Sequence, residues 1–203
     1  MRRWTLLLFG AVFFFSAAGC SHTRDYLSIA REKGISEEYL TVLGQWTRSQ
    51  IVYSQFETMA HIRATYRSPE FNQAYQREFG KIYHLRPGET RQEIPEVTGA
   101  DFTEFFCYAY TPEKASNDFE RRGSIWTIFV VKAGGERVYP VEVSKIDPIT
   151  PVVNAFFPYV NPYYGISYRL RFPPLSNRGE AAGPFRLMFA SVIGEVALEF
   201  GKR

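Results

Sequence analysis

The stretch GISYRLRFP, residues 165–173, constrains the fold more than any other. Ile166, Tyr168, Leu170 and Phe172 alternate with Ser167, Arg169 and Arg171, which separates a dry face from a wet one. A β-strand puts successive side chains on opposite faces, so this period of two means a half-buried strand. Runs of similar kind recur beyond Asp101: FTEFFCYAYT, SIWTIFVVK, RVYPVEVSKI, FRLMFASV and EVALEF. Gly134-Gly135 sits between the second and third of these as a tight-hairpin signal, and Gly194 separates the last two. Short strands broken by frequent Pro and Gly predict an antiparallel β-sandwich, with an immunoglobulin-like layout among its arrangements and a barrel as the main rival. No internal repeat points to a solenoid or a propeller.

Upstream, the period changes. In ISEEYLTVLGQWTRS, residues 35–49, Ser36 caps a helix, Glu37 and Glu38 occupy its first turn, and Tyr39, Leu40, Val42, Leu43 and Trp46 supply an apolar face. Ser68-Pro69-Glu70 is a second helix start, with a capping Ser and Pro at the first helical position. That helix covers about 69–85, presents Phe71, Tyr75, Phe79 and Ile82 on one side, and stops at Pro87-Gly88. Residues 51–66 fit either period. Phe56, Met59 and Ile62 share a helix face, whereas Phe56, Ala60, Ile62, Ala64 and Tyr66 share a strand face with Glu57, His61, Arg63 and Thr65 outside. The fresh helix start at Ser68 favours the strand. The fold class is therefore mainly β with a helical N-terminal part, an α+β chain.

The first residues have a different character. Arg2 and Arg3 precede an apolar run from Trp4 to Phe15, and Ser16-Ala17-Ala18-Gly19 supplies the small residues found near a signal-peptidase cut. Even stretched to Gly19 the run has 16 residues, short of the roughly 20 that a helix needs to cross a bilayer core. Ala17-Ala18-Gly19-Cys20 resembles the lipobox of bacterial lipoproteins, departing from it in having Ala where Leu is commoner. The resemblance implies cleavage before Cys20, a diacylglyceryl group on its thiol and acylation of its new amine. Several acyl chains anchor a protein stably where one alone is marginal, so such a chain is anchored to a membrane and does not span it. Ser21, which is not Asp, favours the outer over the inner membrane under the enteric sorting rule. The layout expected is residues 1–19 as a cleaved signal peptide, 20–50 as a lipid-anchored tether and helix, and 51–203 as a sandwich with the helix at about 69–85 inserted. As a whole it is similar to small envelope lipoproteins of Gram-negative bacteria, a likeness of layout that implies no activity.

Cleavage would remove 19 of the 203 residues and leave 184, enough for one domain with a real core. Formal net charge would fall from +3 to +1 with the loss of Arg2 and Arg3. No Lys/Arg cluster longer than Arg121-Arg122 remains, so nucleic acid is not an expected partner. With Cys20 acylated, Cys107 has no partner for a disulfide and reads as a small buried hydrophobe.

Catalytic signatures are missing. The chain contains no HExxH, GxSxG, GxxxxGK[ST] or GxGxxG, and GISYR lacks the closing Gly of a nucleophile elbow. His22, His61 and His84 have no metal-ligand spacing, so neither a metal nor any other cofactor beyond the lipid on Cys20 is expected. The acid pairs Glu37/Glu38, Asp101/Glu104 and Asp118/Glu120 are explained by helix starts and turns. One stretch, NAFFPYVNPYYG at 154–165, is a candidate interaction loop: Phe156, Phe157, Tyr159, Tyr163 and Tyr164 offer flat surfaces for a protein, glycan or lipid headgroup. The blander alternative, in which these rings fold back over the open end of the sandwich, is favoured. The expected function is a non-enzymatic binding or envelope-assembly module facing the periplasm. The alternative is an enzyme or small-ligand carrier whose site has no recognisable motif.

Overall fold

A computed structural model describes residues 34–86, 102–175 and 183–201. Cys20, the leader, the tether with His22, Pro87-Gly88 and Asp101 lie outside them. The elements run α1 (Glu37–Trp46), β1 (Thr47–Ser54), β2 (Glu57–Tyr66), α2 (Pro69–Tyr83), β3 (Thr103–Tyr110), β4 (Trp126–Lys132), β5 (Arg137–Val138), β6 (Glu142–Ile146), α3 (Pro151–Phe156), β7 (Ile166–Phe172), β8 (Phe185–Ser191) and β9 (Gly194–Phe200). Two antiparallel sheets result, ordered β1-β2-β3-β7-β6 and β5-β4-β8-β9. The chain is thus mainly β with helices, in a sandwich-like layout.

With β3 set aside, the orders become β1-β2-β7-β6 and β5-β4-β8-β9. These correspond to the A-B-E-D and C′-C-F-G sheets of an immunoglobulin-type sandwich. Helix α2 and strand β3 then form an insertion between the second strand and the third, and β3 widens the first sheet from within. Trp126 opens the strand equivalent to C; it is buried, packs on Phe119 and donates its indole N–H to the Ser116 carbonyl at 2.8 Å.

The sheets are tied at both edges. On one side RVYPVEVSKI, expected as one strand, is two: β5 pairs with β4 in one sheet and β6 with β7 in the other. Pro140 has no N–H to continue a ladder, and after it Val141 donates to the Arg171 carbonyl at 2.8 Å. On the other side β1 side chains serve the free edge of β9. Gln50 Oε1 accepts from Ala197 N at 2.9 Å, Gln50 Nε2 reaches the Glu195 carbonyl at 3.5 Å, and Arg48 Nε donates to the Glu199 carbonyl at 3.0 Å. A side-chain amide here does the work of a peptide and covers an edge that would otherwise be exposed. Gly194 makes the approach possible: its φ is +141°, and a Cβ there would stand 2.5 Å from Val52 Cγ1.

Helix α1 starts at Ser36, whose hydroxyl accepts from Tyr39 N, but it ends three residues before the expected Ser49. Thr47 is β-branched, sends its hydroxyl back to the Leu43 carbonyl at 2.6 Å and meets the Thr65 hydroxyl at 2.7 Å, so β1 begins there. Residue 50, where the tether-and-helix segment was expected to give way to the sandwich, therefore lies inside a strand. Residues 57–66 are a strand with Ala60, Ile62, Ala64 and Tyr66 inward, while Phe56 sits on the hairpin turn, fully exposed. Ser68 caps α2 through Phe71 N at 3.1 Å, and His84 closes it in a left-handed conformation. Both helices cover the outer face of the five-stranded sheet, so the molecule has three layers. A core of Phe105, Cys107, Leu170, Phe172, Leu187, Phe189 and Leu198 lies between the sheets. A second, with Tyr39, Phe71, Tyr75, Phe79, Phe106 and Phe156, lies between helices and sheet.

Candidate functional site

The aromatic stretch 154–165 divides in two. Residues 151–156 form α3, capped by Thr150, and Phe156, Phe157 and Tyr159 are buried. They do not close the open end of the sandwich; they fill the layer between helices and sheet. Phe157 stacks on Phe106 at 3.8 Å with an 8° interplanar angle, and Phe156 lies 4.4 Å from the ring of Tyr75. The Tyr159 hydroxyl meets Thr65 at 2.6 Å, and burial pushes its pKa well up. Tyr163 and Tyr164 alone of the five are exposed, at 84% and 66%. They lie on a turn fixed by Asn161, whose Oδ1 accepts from Tyr163 N and whose carbonyl accepts from Tyr164 N and from the Tyr108 hydroxyl. Gly165 follows because the ring of Tyr108 lies where its Cβ would be, which is why Gly precedes the strand in GISYR. Beside this turn is a shallow groove of about 500 Å³ lined by Ile149, Thr150, Pro151, Asn154, Ala155 and Pro162.

A second exposed apolar group was not read from the sequence. Tyr53 and Phe56 on the β1–β2 hairpin and Val192 on the β8–β9 turn are 64%, 105% and 91% exposed. The Gly194–Val52 contact brings the two turns together. No charged residue interrupts Ile51 to Phe56 or Ser191 to Gly194.

The outer face of the five-stranded sheet also carries a charged row that composition could not reveal. Glu104 on β3 is buried and bonds Arg67 Nη1 at 3.1 Å and Arg171 Nε at 3.1 Å; Arg171 Nη1 reaches Glu142 at 3.0 Å. The signal for it was Glu104 itself, an acid inside FTEFFCYAY. Nearer the β1–β2 turn, Ser49 Oγ lies 2.8 Å from His61 Nε2. A hydroxyl beside an imidazole is the start of a nucleophile–base pair, and the two residues sit on the neighbouring antiparallel strands β1 and β2. Burial, and then Arg63, hold the His61 pKa below its ordinary value.

Cys107 lies fully buried on β3 between the sheets, and burial pushes its thiol pKa far up, so it is neither a nucleophile nor a site for acylation. Among the described residues no group of three or more His, Cys, Asp or Glu is placed to hold a metal, and no helix is long and apolar enough to cross a membrane. These features define a three-layer α+β protein built on two antiparallel sheets in a sandwich-like layout. Comparison of the chain with protein-family models, with curated proteins and with solved structures finds no match.

Proposed function

We propose that the protein is a lipid-anchored lipoprotein of the bacterial cell envelope, a non-enzymatic binding or assembly module held to the membrane through Cys20 and facing the periplasm. The observation that carries this reading is the leader: a basic start, an apolar run, Ala18-Gly19 and a cysteine in register with them. The burial of Cys107 supports it, because Cys20 is then the one thiol of the chain open to modification. The junction between tether and body is firmly held. Ser36 N and Oγ both donate to the Glu78 carboxylate at 2.6 Å, and Ile35 is buried beside them, so a pull on the tether is borne by α2. The outer membrane is the favoured destination because Ser21 follows the cysteine. The binding surfaces on offer are Tyr163 and Tyr164 beside their groove, and the two apolar turns with Tyr53, Phe56 and Val192. Expression of Cys20→Ala tests the anchor: the variant is expected in the soluble periplasmic fraction with its fold intact. Retention of that variant in the membrane would overturn the proposal.

A further inference from the structure

We propose that one end of the sandwich, where the β1–β2 and β8–β9 turns stand together, lies against the phospholipid bilayer, with Tyr53, Phe56 and Val192 entering its headgroup layer. The inference rests on the proposed anchor at Cys20 and names the surface that the anchored body meets. Topology carries it. Tyr110 at the end of β3 is opposite His61, Ile166 at the start of β7 is opposite Ala109, and Gly194 at the start of β9 approaches Val52. The β1–β2 hairpin, the Tyr163-Tyr164 turn and the β8–β9 turn therefore share one end of the two sheets. The β4–β8 register pairs Trp126 with Ser191, which brings Ile125 to the same end beside Val192. Of the ten exposed large apolar side chains among the described residues, six are here: Tyr53, Phe56, Ile125, Tyr163, Tyr164 and Val192. Ile51 stands behind Tyr53 on the same face of β1, and Phe102, Tyr139 and Val141 lie at the opposite end.

The hairpin presents its ring against local preference. Gln55 is left-handed at φ +54° without being glycine, and Phe56 follows it with its side chain wholly in water. A ring so placed adds nothing to the core.

The shape of this end selects a bilayer over a protein. A ring covers about 250 Å² at most, so the three side chains of the paired turns fall short of the roughly 800 Å² that each side of a stable protein interface buries. They project from convex turns, whereas the core of a protein interface is one packed patch. A fluid headgroup layer accepts separate side chains, and it suits Tyr, whose ring is apolar and whose hydroxyl is wet. So few residues bind weakly by themselves; an anchor makes the contact intramolecular and raises its effective concentration. The stretch from Cys20 to Gly34 can span at most about 50 Å, against a body roughly 40 Å across, so the anchor allows this end to face the bilayer. Charge gives no attraction to an anionic surface. Glu57 and Glu195 flank the paired turns, and Glu113 and Glu120 in the connection from β3 to β4 stand against Lys114, Arg121 and Arg122. The contact is apolar, and zwitterionic lipid suits it.

The test uses the acylated chain as recovered from the bacterium, reconstituted into phosphatidylcholine vesicles that contain nitroxide-labelled lipid. Ser54→Cys or Tyr139→Cys carries a fluorescent dye, one at each end of the sandwich, while the buried Cys107 takes none. The nitroxide is expected to quench the dye at 54 and to leave the dye at 139 bright. Adding Tyr53→Ser and Phe56→Ser is expected to abolish the quenching at 54 while the chain still floats with the vesicles. Phosphatidylglycerol added to the vesicles is expected to lower that quenching, because Glu57 and Glu195 are repelled by it. A chain that does not float would overturn the anchor and this proposal together. A floating chain whose dye at 54 is no more quenched than that at 139, or is equally quenched in the serine variant, would overturn this proposal alone and leave the turns to a protein partner or a second copy. Quenching that grows with phosphatidylglycerol would move the contact to Arg121 and Arg122 and overturn the role of the turns.

Discussion

The five-stranded sheet has two faces, and they are held by different physics. Its inner face meets the second sheet through Ala60, Ile62, Ala64, Phe105, Cys107, Leu170 and Phe172, with Tyr168 as a polar exception that donates to the Asn117 carbonyl at 2.8 Å. Its outer face meets the helices through rings that carry hydroxyls, and through charges. Tyr39 donates to the Phe156 carbonyl at 3.1 Å, Tyr159 meets Thr65, and Glu104 joins two arginines. The inner face is stabilised mainly by area removed from water, which is indifferent to direction. The outer face needs each polar group to meet its partner, since an unmet one is costly.

The sharpest way to break this contrast is a truncation on the inner face. Phe105 touches the rings of Tyr66, Phe172, Phe185 and Phe200. Phe105→Ala is expected to cost about 3–5 kcal/mol in denaturant unfolding, and a loss below ~1 kcal/mol would mean that the sheets are loosely packed. Glu104→Ala on the outer face removes no large apolar area but leaves Arg67 buried without its counter-charge. It is expected to cost about 3 kcal/mol, and to do so without opening the core to dyes. Tyr159→Phe keeps the ring and removes one bond; since Thr65 retains Thr47, the expected loss is about 1 kcal/mol.

The smallest effect is a pH dependence. Because the folded state holds the His61 pKa below its ordinary value, the unfolded chain takes up its proton first as pH falls. The contribution of His61 is therefore complete above a pH of about 6.5 and declines as pH drops from there toward the folded pKa. Melting temperatures measured between about pH 5 and 8 should show this slope, and His61→Gln should flatten it. A slope of the opposite sign would mean that Ser49 and its neighbours stabilise the charged ring.

The two faces were unequally legible in the sequence. Strands such as β7 declared themselves by alternation, and Ser36 and Ser68 by their capping chemistry. The third layer was written in FTEFFCYAY, where alternation fails because both faces of β3 are buried, from Thr103 to Ala109. Read as an ordinary strand, that run concealed the helix layer above it. That the rings of 154–165 fold back was the favoured reading, but the layer that Phe156, Phe157 and Tyr159 fill was not legible, because a ring looks alike whether it caps a sandwich or meets a neighbouring helix. The break at Pro140 was readable, but not the change of sheet it produces, which depends on where β4 and β7 already lie. The row through Glu104 depends on register across strands distant in sequence, and one-dimensional spacing does not encode it.

The proposed lipid anchor on Cys20 is tested most directly by the mass of the chain recovered from the bacterium that makes it. The account predicts a chain that begins at Cys20, heavier than the peptide by a diacylglyceryl group and one further acyl chain, with Cys107 unreactive to thiol reagents until the protein is unfolded. A chain that retains Met1, or one with a free Cys20 thiol, would contradict it.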